Sequence, residues 1–290
     1  MARSGRSARP LAALVARALA EDRVRADRTT RALLPRSVPA EGRFVAQAPG
    51  TVSGVAAAAE AARQLGLRAV RAVRDGTPVR AGTVVLTVRG DARKILAVER
   101  TSLNLLMHAS GVATRTARAV RAARPSRPPL EVFATRKTLP GLRDLEKAAV
   151  VHGGGHAHRR DLSEALLIKN NHLRLVDLGT AVRRARQRAR PGEPVEVEVR
   201  TAVEALRAAA AGADLLLIDN ASPSAARAIV DALRRAGVRE RVTVELSGGL
   251  TAETLGRYRR VGADRASLGE LTHSAPALPF HLVLRPLAAR

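Results

Sequence analysis

The chain has 290 residues, of which 46% are hydrophobic and only 1% aromatic, and its formal net charge is +24. This length suffices for two domains, or for one barrel with an appended module, and the core must be built from Ala, Val and Leu. The absence of cysteine excludes a disulfide framework, a thiolate nucleophile and a zinc–thiolate site. The sequence contains neither an apolar run of about 18 residues nor an apolar leader, so we expect a soluble cytoplasmic protein without membrane attachment.

The positive charge by itself suggests nucleic-acid binding. Four lysines are present, so nearly all of the 50 basic residues are arginines, and these are spread over every predicted helix. They are not interleaved with aromatic side chains on which bases could stack. Such a distribution is typical of a solvated surface that attracts anions, and we expect no specific nucleic-acid partner. A catalytically inactive nucleic-acid-binding protein is kept as an alternative.

The first part of the chain predicts a compact α+β module. Leu11, Leu14 and Leu19 recur at helical spacing. The elements expected here are a helix within 1–24, a loop at 25–37, short strands at 44–54, a helix at 55–66 and a strand at 83–88. A long helix is expected from Lys94 onward, broken at Gly111 and followed by a proline-rich linker at 125–129.

Strands and helices alternate in the second part. Strands are expected at 130–135, 165–169, 195–199, 214–219, 242–247 and 264–268. Helices are expected at 177–189, 201–212, 222–236 and 251–261. This alternation is typical of a parallel α/β barrel, here with six or seven strands instead of the usual eight. The tail at 275–290 contains alternating apolar residues and is expected to return to the first module as a strand.

Charged side chains stand where predicted barrel strands end, and such ends meet on one face of a barrel. Arg136 and Lys137 follow the first strand, and Lys169 follows the second. Glu198 and Asp219 belong to two further strands, where their oxygens could hold Mg²⁺. We therefore expect an anionic substrate and a magnesium ion at this face.

Small residues follow the last two strands. Ser247-Gly248-Gly249 and Gly269 allow a backbone to approach a phosphate group closely. Each of these signals has a simpler alternative: a glycine turn, or a helix cap in the case of Asp219. His152, His156 and His158 could form a metal cluster or face an anion. Glu196 shares a strand face with Glu198, so one of these two carboxylates could be unnecessary for holding Mg²⁺.

Seven collinear blocks carry a family resemblance. They are ERTSLNLLMHASGVATRT (99–116), TRKTLPGLRDLEKAAVVHGGGHAHR (135–159), LIKNNH (167–172), VEVEV (195–199), LLLIDN (215–220), ELSGGL (245–250) and GELTHSAPALPFHL (269–282). With them the chain resembles quinolinate phosphoribosyltransferase, the carboxylating nicotinate-nucleotide pyrophosphorylase family. So many ordered blocks form a far more specific signal than a single motif.

The resemblance implies transfer of phosphoribose from phosphoribosyl pyrophosphate to the ring nitrogen of quinolinate. Decarboxylation then gives nicotinate mononucleotide, pyrophosphate and CO₂ in the de novo synthesis of NAD. It implies an N-terminal α+β sandwich domain at 1–110, joined by 275–290, and an incomplete α/β barrel domain at 111–274. It also implies an intertwined homodimer, with a higher oligomer left open.

The same resemblance implies the site residues. Those expected at quinolinate are Arg100, Arg136, His158, Arg159 and Lys169, with Arg100 donated by the partner subunit. Those expected at phosphoribosyl pyrophosphate are Lys137, Lys169, Glu198, Asp219, Ser247, Gly248, Gly269 and His273. Catalysis is assigned to Lys137, Lys169, Glu198 and Asp219, and Mg²⁺ to Glu198 and Asp219.

Three departures from the family pattern concern substrate choice. Ala134 replaces an expected Asp, residues 157 and 160–164 differ from the usual run, and Glu270 stands where a small residue is common. An alternative is therefore a related enzyme that transfers phosphoribose to a different pyridine or azole carboxylate. A monoacid would leave part of the predicted cationic cluster unpaired, which favours the dicarboxylate.

Overall fold

A computed structural model describes residues 5–126 and 129–288; residues 1–4 of the first predicted helix and 127–128 of the predicted linker lie outside these ranges. The helices are α1 (Gly5–Glu21), α2 (Arg28–Leu33), α3 (Val55–Gln64), α4 (Ala92–Ala123), α5 (Arg143–His152), α6 (Asn170–Leu173), α7 (Leu178–Arg188), α8 (Ala202–Ala210), α9 (Pro223–Arg235) and α10 (Glu270–His273). The strands are β1 (Pro39–Ala46), β2 (Gly50–Thr51), β3 (Arg68–Arg71), β4 (Pro78–Val79), β5 (Val84–Asp91), β6 (Glu131–Phe133), β7 (Leu166–Ile168), β8 (Val195–Val199), β9 (Leu215–Asp219), β10 (Thr243–Ser247), β11 (Arg265–Ser267) and β12 (Phe280–Pro286). In these ranges we find no helix with the length and apolarity needed to cross a bilayer.

The chain forms two compact units. The first contains residues up to 117, Thr138–Gly154 and the residues from Ser274 on; the second contains Arg118–Lys137 and Gly155–His273. The first unit is built on an antiparallel sheet with the order β12-β1-β5-β3. Phe44, which is fully buried, lies opposite both Leu86 and Leu282 in this sheet. The tail therefore returns to the first unit as a strand, as predicted.

Small side chains allow helix α3 to pack closely in the first unit. Ala57, Ala58, Ala61 and Ala62 are fully buried on one face of this helix, which contacts β3 and β5. Helix α4 continues without interruption through Gly111, so the predicted break there is wrong. A Cβ at Gly111 would lie 3.0 Å from the Cα of Ala277, so glycine is needed for close approach of the tail rather than for a helix end.

The second unit is built on a parallel sheet with the order β6-β11-β10-β9-β8-β7. In the part of the chain that the structure describes, these six strands form an open sheet whose edges are β6 and β7, in agreement with the predicted incomplete barrel. An isolated parallel bridge between Phe133 and His156 adds a short seventh segment beside β6. The register places Glu198 and Glu245 each opposite Leu217, so these side chains share one face of the sheet.

Two local predictions are wrong for identifiable reasons. Residues 25–37 contain helix α2, which begins because the Asp27 carboxylate accepts the Thr30 N–H at 3.0 Å. Residues 251–261 contain only a 3₁₀ turn at Leu255–Tyr258. There Thr251 and Thr254 exchange hydrogen bonds as at a helix start, with the Thr254 hydroxyl accepting the Thr251 N–H at 2.9 Å, but Gly256, a poor helix former, follows within the turn.

Candidate active site

The strands of the second unit end at one cavity of about 560 Å³. All predicted site residues except Arg100 line it: Arg136, Lys137, His158, Arg159, Lys169, Glu198, Asp219, Ser247, Gly248, Gly269 and His273. Thr135, Leu167, Leu217, Glu245, Gly249, Leu250, Thr251, Ser267 and Glu270 complete the lining. Because the carboxyl ends of parallel strands meet at one edge, residues far apart in sequence converge here.

Two guanidinium groups form the most desolvated cationic part of the cavity. The Nε of Arg136 is buried and has no hydrogen-bond partner among the described residues. Arg159 donates from Nη1 to the Ala165 carbonyl at 3.0 Å. Burial, together with the nearby charge of Arg136, lowers the pKa of Arg159. A bound anion would relieve both the desolvation and the mutual repulsion of these two cations.

Lys169 and Glu198 form an ion pair at the ends of β7 and β8. The Nζ of Lys169 lies 2.7 Å from Oε1 of Glu198, and the other carboxylate oxygen accepts the Asn170 N–H at 2.7 Å. The chain turns from β7 into α6 at this point, which directs the Asn170 N–H toward the carboxylate. Asp219 is engaged more loosely, by Asn170 Nδ2 at 3.4 Å and by Arg200 at 3.5 Å.

The glycine-rich end of β10 exposes the backbone to the cavity. Gly248 has φ of +89°, and a Cβ there would lie 2.6 Å from the backbone nitrogen of Asn220. This close approach is fixed because the Asn220 N–H donates to the Ser247 carbonyl at 3.0 Å. The backbone geometry therefore requires glycine at this position, which supports the predicted contact with a phosphate group.

A chain of contacts within the second unit holds Lys137 beside the carboxyl end of β11. The Thr272 hydroxyl donates to the Lys137 carbonyl at 2.7 Å, and the Lys137 N–H donates to the Thr135 hydroxyl at 3.0 Å. The Lys137 side chain passes Gly269, where an added Cβ would lie 2.8 Å from its Cδ and 3.0 Å from Nε2 of His273. The predicted residues Lys137, Gly269 and His273 are thus brought together.

An ionic cluster inside the sheet was not predicted from the sequence. We call His158, Glu196, Glu245 and Arg265 the interior cluster. Nε2 of His158 lies 3.4 Å from Glu245 and 3.8 Å from Glu196, and Nε of Arg265 lies 2.7 Å from Glu245. The signal available in the sequence was the alternation in β8, which places Glu196 on the same face as Glu198.

The two glutamates of this cluster differ in their protonation. Burial, reinforced by the charge of Glu245, raises the pKa of Glu196 to about 7. Burial alone would also raise the pKa of Glu245, but the contact with His158 and the charge of Arg265 outweigh it, and this pKa is lowered. Glu245 is therefore the permanent carboxylate of the pair.

Among the described residues, His158, Glu196 and Glu245 also form a group with the spacing of a metal site. The guanidinium of Arg265 already supplies a positive charge to Glu245. In the described part of the chain, His152 and His156 do not belong to this group, because each has a separate partner. Nδ1 of His152 contacts the Ser53 hydroxyl at 2.8 Å, whereas His156 stacks on Phe133.

Arg100 and Ala134 are not among the residues that line the cavity. Arg100 is exposed on α4, in the first unit. Ala134 is buried, and its N–H donates to the His156 carbonyl at 2.8 Å. Glu270 lines the cavity and also accepts the Ala252 N–H at 2.9 Å, so this departure from the family pattern fastens the loop that follows β10.

A parallel barrel-type sheet with clustered cations, two carboxylates and exposed glycine backbone at its carboxyl edge defines an enzyme site for multiply anionic small molecules. The sequence matches the family model described as quinolinate phosphoribosyl transferase, N-terminal domain, over residues 27–110, and the corresponding C-terminal domain over 112–283. The chain belongs to the quinolinate phosphoribosyltransferase family.

Named relatives cover nearly the whole chain. A probable carboxylating nicotinate-nucleotide pyrophosphorylase of Methanothermobacter thermautotrophicus is 42% identical over 262 residues, covering 90% of this chain and 94% of the relative. The carboxylating nicotinate-nucleotide pyrophosphorylase of Mycobacterium leprae is 38% identical over 276 residues, 93% of this chain and 95% of the relative. The crystal structure of NadC from Streptococcus pyogenes superimposes with a TM-score of 0.86 at 35% identity, covering 94% and 96% of the two chains.

Proposed function

We propose that this chain transfers the phosphoribosyl group of phosphoribosyl pyrophosphate to the ring nitrogen of quinolinate. Release of CO₂ then yields nicotinate mononucleotide for NAD biosynthesis. The observation that carries this proposal is that one cavity contains two kinds of anion-binding group. The guanidiniums of Arg136 and Arg159 suit a dicarboxylate, whereas Lys137 and the backbone around Gly248 suit phosphate groups.

The dicarboxylate has a defined place in this proposal. The buried Nε of Arg136 has no hydrogen-bond partner in the described part of the chain, and the pKa of Arg159 is lowered, so both guanidiniums gain most from a carboxylate that enters the cavity. Planar guanidiniums bind carboxylates through two parallel hydrogen bonds, which also fixes the plane of the pyridine ring. The ring nitrogen is thereby held for attack on C1 of the ribose as pyrophosphate leaves.

The decarboxylation needs little further chemistry from the protein. After ribosylation the ring nitrogen is cationic, so the electron pair left on C2 by the departing CO₂ lies next to a positive charge. A proton from water then completes the product. Lys169 is held by Glu198 at the cavity, and we assign it the role of stabilising negative charge at the departing carboxylate and at the phosphates.

The donor set fits a magnesium ion shared with substrate phosphates. Mg²⁺ prefers oxygen ligands and usually takes one or two protein carboxylates together with phosphate oxygens and water. Asp219 lines the cavity with a loosely engaged carboxylate, whereas both oxygens of Glu198 are engaged by Lys169 and by the Asn170 N–H. Asp219 is thus the readier ligand, with Glu198 the second; a bound Mg²⁺ would supply charge neutralisation for the pyrophosphate leaving group.

We further propose that a second copy of the chain supplies Arg100 to this cavity. In support, Arg100 is exposed and does not line the cavity of its own chain. The test is to mix Arg100→Ala protein with Lys169→Ala protein after mild dissociation. Random reassociation in a C₂ dimer should restore about a quarter of the wild-type activity, because half of the dimers then contain one intact site. If the mixture stays as inactive as its components, Arg100 acts within its own subunit; if Arg100→Ala alone is fully active, Arg100 has no role in the site.

The activity itself is tested with purified protein, Mg²⁺, phosphoribosyl pyrophosphate and quinolinate, following CO₂ and nicotinate mononucleotide. Nicotinate replaces quinolinate in the control. Product from quinolinate and none from nicotinate is the expected result. Binding of phosphoribosyl pyrophosphate without product from quinolinate would instead favour a different pyridine or azole carboxylate. A cytoplasmic location remains a prediction.

A further inference from the structure

The backbone at His158 and Arg159, here called the corner, adopts an unusual conformation. His158 has φ of +53°, in the left-handed region that residues with a side chain rarely adopt. A glycine would adopt this conformation without strain, so the strain is tolerated because contacts of the His158 side chain hold it. The partners of the His158 imidazole ring therefore indicate its role in the structure.

The hydrogen bonds of the ring define its tautomer. Nδ1 of His158 accepts the backbone N–H of Arg159 at 2.7 Å, so the ring proton lies on Nε2. Nε2 faces Oε1 of Glu245 at 3.4 Å, with Glu196 farther away at 3.8 Å. The imidazole therefore connects the Arg159 backbone to the interior carboxylate, and both of its nitrogens already face protein groups.

The surroundings of Glu245 keep its side chain an ionised carboxylate that accepts hydrogen bonds. Its side chain is fully buried, and its other oxygen, Oε2, lies 2.7 Å from Nε of Arg265. Arg265 is itself held over the ring of Phe133, with 4.8 Å between the guanidinium carbon and the ring centroid. Among the described residues neither oxygen of Glu245 has a well-aligned hydrogen bond; His158 and Arg265 are its ion-pair contacts, and the Ser267 hydroxyl is a further neighbour that helps to lower the pKa of Glu245.

We propose that Glu245 is a positioning residue that, with Arg265, fixes the Nε2–H tautomer of His158 and thereby the backbone from which Arg159 reaches the cavity. The proposal rests on the proposed function only in its last step, where Arg159 binds a carboxylate of the pyridine substrate. Partners of this kind set the ring orientation of a histidine in many sites. Glu245 does not need to touch the substrate for this role.

Glu245→Gln tests the proposal with almost no change of volume. The amide must turn its oxygen toward the guanidinium of Arg265, because two donors would otherwise face each other. Its NH₂ group then faces Nε2 of His158 and favours the tautomer that carries its proton on Nδ1. That proton faces the Arg159 N–H, so the hydrogen bond that fixes the corner is lost.

Two measurements follow. Nitrogen-15 NMR of histidine-labelled protein, with seven histidines to assign, should show His158 as the Nε2–H tautomer in the wild type and a shift toward Nδ1–H in Glu245→Gln. The KM for quinolinate should rise about tenfold, a typical effect of losing such a partner, with the KM for phosphoribosyl pyrophosphate changed less than about twofold. An unchanged tautomer, or an equal rise of both KM values, would overturn the proposal.

The control is Glu41→Gln in the first unit. Glu41 is also a buried strand glutamate between two arginines, with 2.7 Å to Nε of both Arg43 and Arg89. It lies outside the cavity lining, so both KM values should stay at the wild-type level. A rise of the quinolinate KM in this variant equal to that in Glu245→Gln would mean that the effect is a general loss of stability, and the proposal would fail.

His158→Gly provides a second route if Glu245→Gln folds poorly. Glycine accepts the positive φ but cannot connect Arg159 to Glu245, so the quinolinate KM should rise while the fold is kept. An unchanged quinolinate KM in His158→Gly would overturn the proposal. When Glu245→Gln folds well, adding it to His158→Gly should change that KM no further, and additive effects would also overturn the proposal. The tautomer measurement needs no substrate, so it still decides the positioning role if the wild-type protein fails to use quinolinate.

Discussion

Lys169→Met removes one positive charge from the cavity and keeps most of the side-chain length. Lys169 lies 2.7 Å from Oε1 of Glu198, and its side chain is 47% exposed. Glu198 is nearly buried, with its second oxygen bound to the Asn170 N–H at 2.7 Å. The substitution therefore separates the contribution of one cation from the packing around it.

The effect on stability should be small. Because half of the Lys169 side chain is exposed, the ion pair itself stabilises the fold by only about 0.2–1 kcal/mol. Glu198 loses its cation but keeps one N–H donor, which adds about 1 kcal/mol to the cost. We expect the free energy of unfolding to fall by about 1–2 kcal/mol and the Tm by a few degrees, measured by calorimetry.

The effect on turnover should be much larger. If Lys169 stabilises charge that develops at the carboxylate or the phosphates, its removal should lower kcat by about 100-fold, the usual effect of losing one preorganised donor. The assay follows CO₂ and nicotinate mononucleotide from saturating substrates. Lys94→Met is the matched control, since Lys94 is an exposed lysine of α4 outside the cavity lining and should leave kcat unchanged.

Near-wild-type turnover of Lys169→Met would refute this reasoning, because the ion pair with Glu198 would then be structural only. A Tm loss far above the expected few degrees would refute it in another way. Such a loss would mean that Glu198 depends on Lys169 for its burial, so that the low kcat reflects a disturbed fold.

Three further predictions can be tested with the same protein. Gly248→Ala should raise the KM for phosphoribosyl pyrophosphate at least about tenfold, because its Cβ meets the Asn220 nitrogen at positive φ; an unchanged KM would place the phosphates elsewhere. Arg136→Lys should lower kcat/KM for quinolinate by about 10- to 100-fold, since a lysine cannot form the bidentate contact. Steady-state kinetics measure this ratio, and a smaller loss would contradict the bidentate contact. Arg190 lowers the pKa of Glu193 to about 2, so the stability that this pair contributes is present above about pH 4.5 and lost as pH falls toward 2. Urea unfolding across this range should show a shallower acid-side loss in Glu193→Gln than in the wild type.

Much of the site followed from the order of residues along the chain. Arg136, Lys169 and Asp219 each stand at the end of an apolar run, and parallel strands deliver their ends to one edge of the sheet. The structure places all three at the cavity, because β6, β7 and β9 belong to a single parallel sheet. Alternating strands and helices therefore sufficed to predict the barrel and the charged residues at its strand ends, whereas His158, Arg159 and His273 followed only from the family resemblance.

Other features depend on partners that are distant in sequence. The pairing of Glu245 with His158 and Arg265 joins three separate segments, and the spacing of charges along one strand does not identify the partner across the sheet. Similarly, the presence of a glycine at position 111 suggested a helix break. The helix continues there, and the close approach of Ala277 explains why this residue is glycine. Helix α5 belongs to the first unit although it follows the first barrel strand, and linear order gives no sign of this.

The sequence by itself determined the class of the fold, the elements that carry cations and carboxylates, and the family blocks. These depend on local periodicity and on residue type, which are properties of short segments. Only the tertiary structure decided which charges meet in the interior and which remain free for a ligand. That outcome depends on burial: desolvation raises the pKa of Glu196, while Arg265 and His158 keep Glu245 ionised, and such energies arise only once the strands have assembled.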